Sequence, residues 1–402
     1  RVAIGGSTTG NLETRGDHDW FAMTLEAGQS YQFNMEGSPT GGGSLRDTYL
    51  YLRNSSGALI TRDDDSGTGY NSQITYTATS SGTYFLDAGS YANRYTGTYT
   101  VSARENDGTP PPEEDDWSNI DGWGHVSAER AFERLLAIDL ESQPDAGGNL
   151  WGLDAIGAQE VWAGTGSFGG VTGEGITVAV VDTGIDYSHR EFAGRIVQGW
   201  DFVDNDSSAD DGHGHGTHVA GTIAGANDGV GITGIAYNSR IMPIRVLNDN
   251  GSGTFSAVNA GIRYAADHGA DVINLSLGGG GFNQSTYDAV RYASQQGSVV
   301  VMAAGNSGTS QPGYPARYAM DYGIAVGAVD INRDMAYFSN RSGDTVMDYV
   351  TAPGVNVYSA LPGDRYARWN GTSMAAPHVA GVAALLSSYN NDLSAEQIEE
   401  LI

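Results

Sequence analysis

The chain has 402 residues, more than one ordinary domain needs, with 20 basic against 48 acidic residues and a formal net charge of −28. All the basic residues are arginine and cysteine is absent, which excludes disulfides, thiolate metal sites, iron–sulfur clusters and a cysteine nucleophile. So acidic a chain is repelled by nucleic acid and anionic lipid. It also lacks the run of about eighteen apolar residues that a membrane-spanning helix needs.

Residues 1–104 read as short β-strands. Phe21, Met23 and Leu25 alternate, Ala27-Gly28 turns the chain, and Tyr31, Phe33 and Met35 alternate again. Ile74, Tyr76 and Ala78, then Tyr84 and Leu86, then Tyr99 and Val101 repeat the pattern. Period-two alternation between glycine turns predicts an antiparallel β-sandwich, apolar side inward. Residues 105–116 form a linker that Pro110, Pro111 and Pro112 stiffen and the flanking acids extend. In the connecting segment 117–149, Ala128, Phe132, Leu135 and Leu136 share one face of a predicted helix.

The grammar changes near 150. Strand 176–181, helix 216–225, strand 240–247, helix 256–268, strand 271–276, helix 285–296 and strand 298–304 follow in turn. Repeated β-then-α units over 150–402 predict an α/β fold with a parallel sheet flanked by helices. Ser394 with Gln397, and Leu393 with Ile398, mark one more helix start near the end.

Ligands of such sheets bind beyond the carboxyl ends of the strands, and reactive residues stand there. Asp182 directly follows the strand Thr177–Val181. His215 opens a helix in His-Gly-Thr-His. Asn306 follows the strand ending at Ala304, and Ser373 opens another helix in Gly-Thr-Ser-Met-Ala. Acyl transfer needs these residue types. A serine hydroxyl attacks only when a base takes its proton, imidazole titrates near neutrality, a carboxylate orients the imidazole, and an amide can donate to an oxyanion. Singly, an Asp after a strand reads as a turn residue and a Ser at a helix start as a cap. His213, His215 and His218 could also suggest a metal cluster, but no paired carboxylate supports one.

Together these segments resemble the motifs of subtilisin-like serine proteases, over about 145–402. The resemblance implies a triad of Asp182, His215 and Ser373 with Asn306 as oxyanion donor, in a secreted bacterial endopeptidase. Gly251-Ser252-Gly253 and Ser276-Leu277-Gly278 are similar to the two edges between which that family holds an extended peptide. Small residues Ala304, Gly305 and Gly313 suggest an open pocket before the cut, with large apolar residues preferred there. A binding protein on the same scaffold, or an esterase or ligase using the same triad, is the alternative.

The loop Ala226–Ile232 resembles the family's calcium loop. The resemblance implies oxygen ligands from Ala226, Val230 and Ile232 carbonyls, the Asp228 side chain, and Glu191 where the family usually has Asp. Asp17, Asp19 and Asp63-Asp64-Asp65 form a second acidic group. The first unit, through Gly16-Asp17-His18-Asp19-Trp20-Phe21, Gly82-Thr83-Tyr84 and Gly97-Thr98-Tyr99, resembles the bacterial pre-peptidase C-terminal domain, which implies a fibrous or surface ligand. Residues 121–131 resemble the closing segment of a subtilisin-like domain, placed upstream instead of downstream. With that segment expected after Ile402, the catalytic domain reads as C-terminally truncated, and the charge favours a monomer.

Overall fold

The alternation in the first part of the chain becomes eight strands: β1 (Gly6–Leu12), β2 (Asp19–Leu25), β3 (Ser30–Glu36), β4 (Thr48–Arg53), β5 (Leu59–Asp63), β6 (Ser72–Thr77), β7 (Gly82–Ser90) and β8 (Gly97–Glu105). They form two antiparallel four-stranded sheets, ordered β1-β8-β3-β6 and β2-β7-β4-β5. Phe33 pairs with Ile74 and Ala103 in one, and Leu86 with Phe21 and Leu52 in the other. The inward side chains, Tyr31, Phe33, Met35, Leu50, Leu52, Leu86 and Tyr99 among them, pack into one core.

This computed structural model describes all residues except 3, 5, 39–42, 65–70, 92–93 and 106–116, so all but Glu105 of the expected linker lies outside the described residues. The chain divides into two compact units, Arg1–Glu113 and Glu114–Ile402.

The second unit is built on β9 (Thr177–Asp182), β10 (Trp200–Asp201), β11 (Arg240–Arg245), β12 (Val272–Leu275), β13 (Val299–Ala303), β14 (Ile324–Val329) and β15 (Tyr349–Pro353). They form one parallel sheet in the order β10-β11-β9-β12-β13-β14-β15, and β16 (Val357–Leu361) and β17 (Arg365–Trp369) make a separate hairpin. The helices are α1 (Ala128–Leu136), α2 (Trp151–Ile156), α3 (Ala158–Ala163), α4 (His215–Ala224), α5 (Phe255–Asp267), α6 (Gln284–Gln295), α7 (Thr372–Tyr389) and α8 (Ala395–Leu401). Alternation along β9 sends Val178 and Val180 to a core shared with α4 and α7. Ala179 and Val181 go to a second core shared with α5 and α6. Both faces are therefore covered, which is why these strands read as continuous apolar runs rather than alternating ones.

The upstream segment closes the edge of this sheet. Trp123 N donates to Tyr349 O at 3.0 Å, Val126 N to Thr351 O at 2.9 Å, and Thr351 N to Gly124 O at 2.7 Å. Residue 125 thereby lies parallel to Thr351 of β15. Helix α1 follows at once, capped by Ser127, whose side chain accepts from Arg130 N. It buries Ala128, Ala131 and Phe132 in the core that holds α7.

Candidate active site

Asp182 is the last residue of β9 and fully buried. Its Oδ1 accepts from Thr183 N at 2.7 Å and from His215 Nδ1 at 2.7 Å. His215 is the first residue of α4, so the helix start delivers the ring to the end of the strand. Burial alone would hold the imidazole uncharged, yet the Asp182 carboxylate outweighs it and raises its pKa above the ordinary 6.5. With Nδ1–H committed to Asp182, Nε2 is the free base.

Asp211, which the sequence reading passed over, builds this junction. Its Oδ1 accepts from Gly214 N at 2.7 Å and Thr183 Oγ1 at 2.8 Å, its Oδ2 from Thr217 N at 2.9 Å and Thr217 Oγ1 at 2.6 Å. One carboxylate thus caps α4 and holds the residue after Asp182. Trp369 of β17 is a second unforeseen member. Its ring stacks on His218 at 4.8 Å and lies over His215 at 6.0 Å. The three histidines do not form a metal cluster. His218 is pushed down to about 4 by burial, with Nε2–H donating to Ala367 O at 3.2 Å, and His213 is exposed.

Ser373 is the second residue of α7. Its Oγ donates to Ser276 O at 3.0 Å, and Ser276 Oγ donates to Ser373 O at 2.8 Å, which pins the start of α7 to the end of β12. The hydroxyl is bonded to that carbonyl rather than to His215. Catalytic hydrogen bonds are often unmade in a free site, and a hydroxyl rotor turns without moving the backbone. Asn306 is aimed by Thr372, whose N and Oγ1 both donate to Asn306 Oδ1, at 2.8 and 3.0 Å. Asn306 is exposed and lines the cleft, and no acceptor for its amide nitrogen is found among the described residues.

His215, Ser373 and Asn306 line one cleft of about 700 Å³ with Gly251, Ser252, Gly253, Ser276, Leu277 and Gly278. Leu247, Phe255, Val258, Tyr314 and Tyr318 supply its apolar walls. Ala304, Gly305 and Gly313 do not line it. Ala304 is fully buried, its carbonyl accepts from Gly313 N at 2.8 Å, and Gly305 and Gly313 are half-buried.

Glu191, Ala226, Asp228, Val230 and Ile232 also come together, but as a hydrogen-bonded set. Glu191 is 1% exposed. Its Oε2 accepts from Ala226 N at 2.8 Å, and its Oε1 from Ile232 N at 3.4 Å and from the Tyr366 hydroxyl at 2.6 Å. Ala226 and Ile232 thus meet this carboxylate through their N–H donors. Asp228 turns outward, accepting from Val230 N at 3.0 Å and from Arg190 Nη2 at 3.3 Å. Glu191 therefore finds its partners within the chain, and no group of three or more His, Asp or Glu side chains that could hold a metal occurs among the described residues. Three members of the acidic group of the first unit accept hydrogen bonds that build the fold. Asp17 accepts from Glu13 N, Asp19 from the Tyr99 hydroxyl and Asp63 from Gln73 N, while Asp65 lies outside the described residues.

The pattern of the subtilase family matches residues 173–402, more than half of the chain. The chain belongs to the subtilase family. The first unit matches the bacterial pre-peptidase C-terminal domain over 17–90. The subtilase is 51% identical over 223 residues to thermitase of Thermoactinomyces vulgaris, covering 55% of this chain and 78% of that one. It is 46% identical over 252 residues to subtilisin DY of Bacillus licheniformis, covering 62% and 88%. Among solved structures it resembles a cold adapted subtilisin-like serine proteinase, with 39% identity and a TM-score of 0.54 over 63% of this chain and 90% of the other. By family, this subtilase is a serine-type endopeptidase.

Proposed function

We propose that this subtilase cleaves peptide bonds through Asp182, His215 and Ser373. The observation that carries the reading is the 2.7 Å contact between His215 Nδ1 and a fully buried Asp182, opening on a cleft that also holds Ser373 and Asn306. His215 Nε2 takes the proton of Ser373 Oγ as that oxygen attacks the scissile carbonyl. The Asn306 amide and the Ser373 backbone N–H receive the negative charge on the carbonyl oxygen. His215 returns the proton to the leaving amine, leaving an acyl group on Ser373, and water attacks in a second round of the same shuttle.

Main-chain pairing with 251–253 and 276–278 would hold an extended peptide and read little sequence. The apolar walls favour large apolar side chains, and a peptide library in which Asp and Gly before the cut serve equally well would refute that preference. The protein acts outside a bacterial cell in this reading, where an acidic surface aids solubility, and the first unit holds a fibrous or surface substrate. Deleting that unit should leave peptide hydrolysis intact and weaken adsorption to such a substrate.

A fluorophosphonate tests the central claim. Mass mapping should place the label on Ser373 alone, and Ser373→Ala should abolish it. Labelling elsewhere, or none, refutes the assignment.

A further inference from the structure

We infer that the loop 226–232 is closed by the carboxylate of Glu191 and the hydroxyl of Tyr366 in place of calcium. The argument begins with side-chain length. The resemblance expects Asp at 191, and Glu advances the carboxylate by one methylene, about 1.5 Å. That extra reach carries the two oxygens into the loop itself, where Ala226 N, Ile232 N and the Tyr366 hydroxyl donate to them.

The loop is shaped to receive them. At Gly231, with φ +74°, a Cβ would collide with both Glu191 Oε1 and the Tyr366 oxygen. Those two oxygens therefore lie directly against Gly231. A buried carboxylate that accepts three hydrogen bonds is compensated without a metal, and a cation at Oε1 would have to displace Ile232 N or the Tyr366 hydroxyl. The side chain meant to share the cation, Asp228, is half-exposed and faces Arg190 instead. Further support comes from Arg195, which donates to the Glu191 main-chain oxygen and, at 2.6 Å, to Ala224 O at the end of α4. Glu191 thus fastens the far end of the helix that begins at His215. Tyr366 sits on the hairpin that carries Trp369, so one pair joins the loop, the helix and the hairpin.

The test is hydrogen exchange at the Ala226 and Ile232 amides, on the full chain carrying Ser373→Ala to prevent self-digestion. Protection at both amides should be the same in EDTA and in calcium chloride. Tyr366→Phe should lower it about tenfold, equally in both media, because Glu191 loses a buried partner. Glu191→Asp withdraws the carboxylate, so its protection should fall in EDTA and recover with calcium. Three results overturn the inference: calcium-dependent protection at these amides in the chain with Glu191 and Tyr366 intact, unchanged protection in Tyr366→Phe, or indifference to calcium in Glu191→Asp. None of these readouts depends on the catalytic roles.

Discussion

Phe132 measures how much the catalytic unit owes to the segment that precedes it. The ring is fully buried, 5.4 Å from Phe168 and 6.0 Å from Tyr389 between centroids. It therefore joins α1 to the end of α7, the helix that carries Ser373. Phe132→Ala removes the transfer energy of the ring and leaves a cavity, a loss of about 3–5 kcal/mol. For a unit spanning Glu114–Ile402 each kcal/mol moves Tm by about 1.6 °C, so the midpoint should fall by roughly 5–8 °C. Calorimetry of the Ser373→Ala chain would read it, with Arg130→Ala on the exposed side of α1 as a control within about 0.5 kcal/mol. Truncation extends the argument. A chain starting at Trp117 should keep the transition of the second unit. A chain starting at Ala137 loses the three main-chain bonds to β15 and the burial of Val126, Ala128 and Ala131 as well, and should not unfold cooperatively. If the chain from Ala137 unfolded at the same temperature as the chain from Trp117, the segment would be a passenger and the reasoning wrong.

Asn306→Ala should lower kcat about 10²–10³-fold, the loss found for one oxyanion donor in this family, while KM changes little; a loss confined to KM would assign Asn306 to binding instead. The acid limb of the kcat/KM profile should lie above the ordinary histidine value, because Asp182 raises the His215 pKa from 6.5 and only the neutral ring is a base. Stability runs the other way: the raised pKa contributes stability that is full below about 6.5 and lost as pH rises through the folded value, so Asp182→Asn should cost more Tm at pH 5 than at pH 9. Glu399 has its pKa pushed up to about 8 by burial first and Asp348 next. Folding therefore loses stability as pH rises from about 4.5 towards 8, and Glu399→Gln should raise Tm at pH 8 but not at pH 4.

Much of this fold could be read from local pattern. The helices α4, α5 and α6 fall within a residue of expectation because glycine ends them and apolar strands flank them. Strand β1 was missed, since Gly-Ser-Thr-Thr-Gly-Asn-Leu alternates only weakly and pairs through its backbone with β8. The members of the candidate site that escaped were those acting over distance. Asp211 looks like one acid among many until Thr183, 28 residues earlier, donates to it. Thr372 looks like a helix start until Asn306, 66 residues away, accepts from it. Trp369 had no signal at all, because stacking on two histidines is a property of the hairpin β16–β17.

Glu191 and the segment 121–131 were both visible as sequence, yet their consequences were not. The order of residues 121–131 could say that a closing segment was present but not where it lies, since strand pairing depends on chain reach and edge availability rather than on position in the sequence. Residues 123–126 pair with the edge strand β15, and the buried Val126 and the amphipathic α1 that follows pack into the core that holds α7. At Glu191 the structure brings together the carboxylate and the main-chain N–H groups of Ala226 and Ile232. The chemistry of the meeting turned on one methylene, which decides whether the loop presents its donors to a carboxylate or surrounds a cation. Spacing therefore carries the assembly of this subtilase, whereas side-chain length and edge geometry decide what the assembled parts can bind.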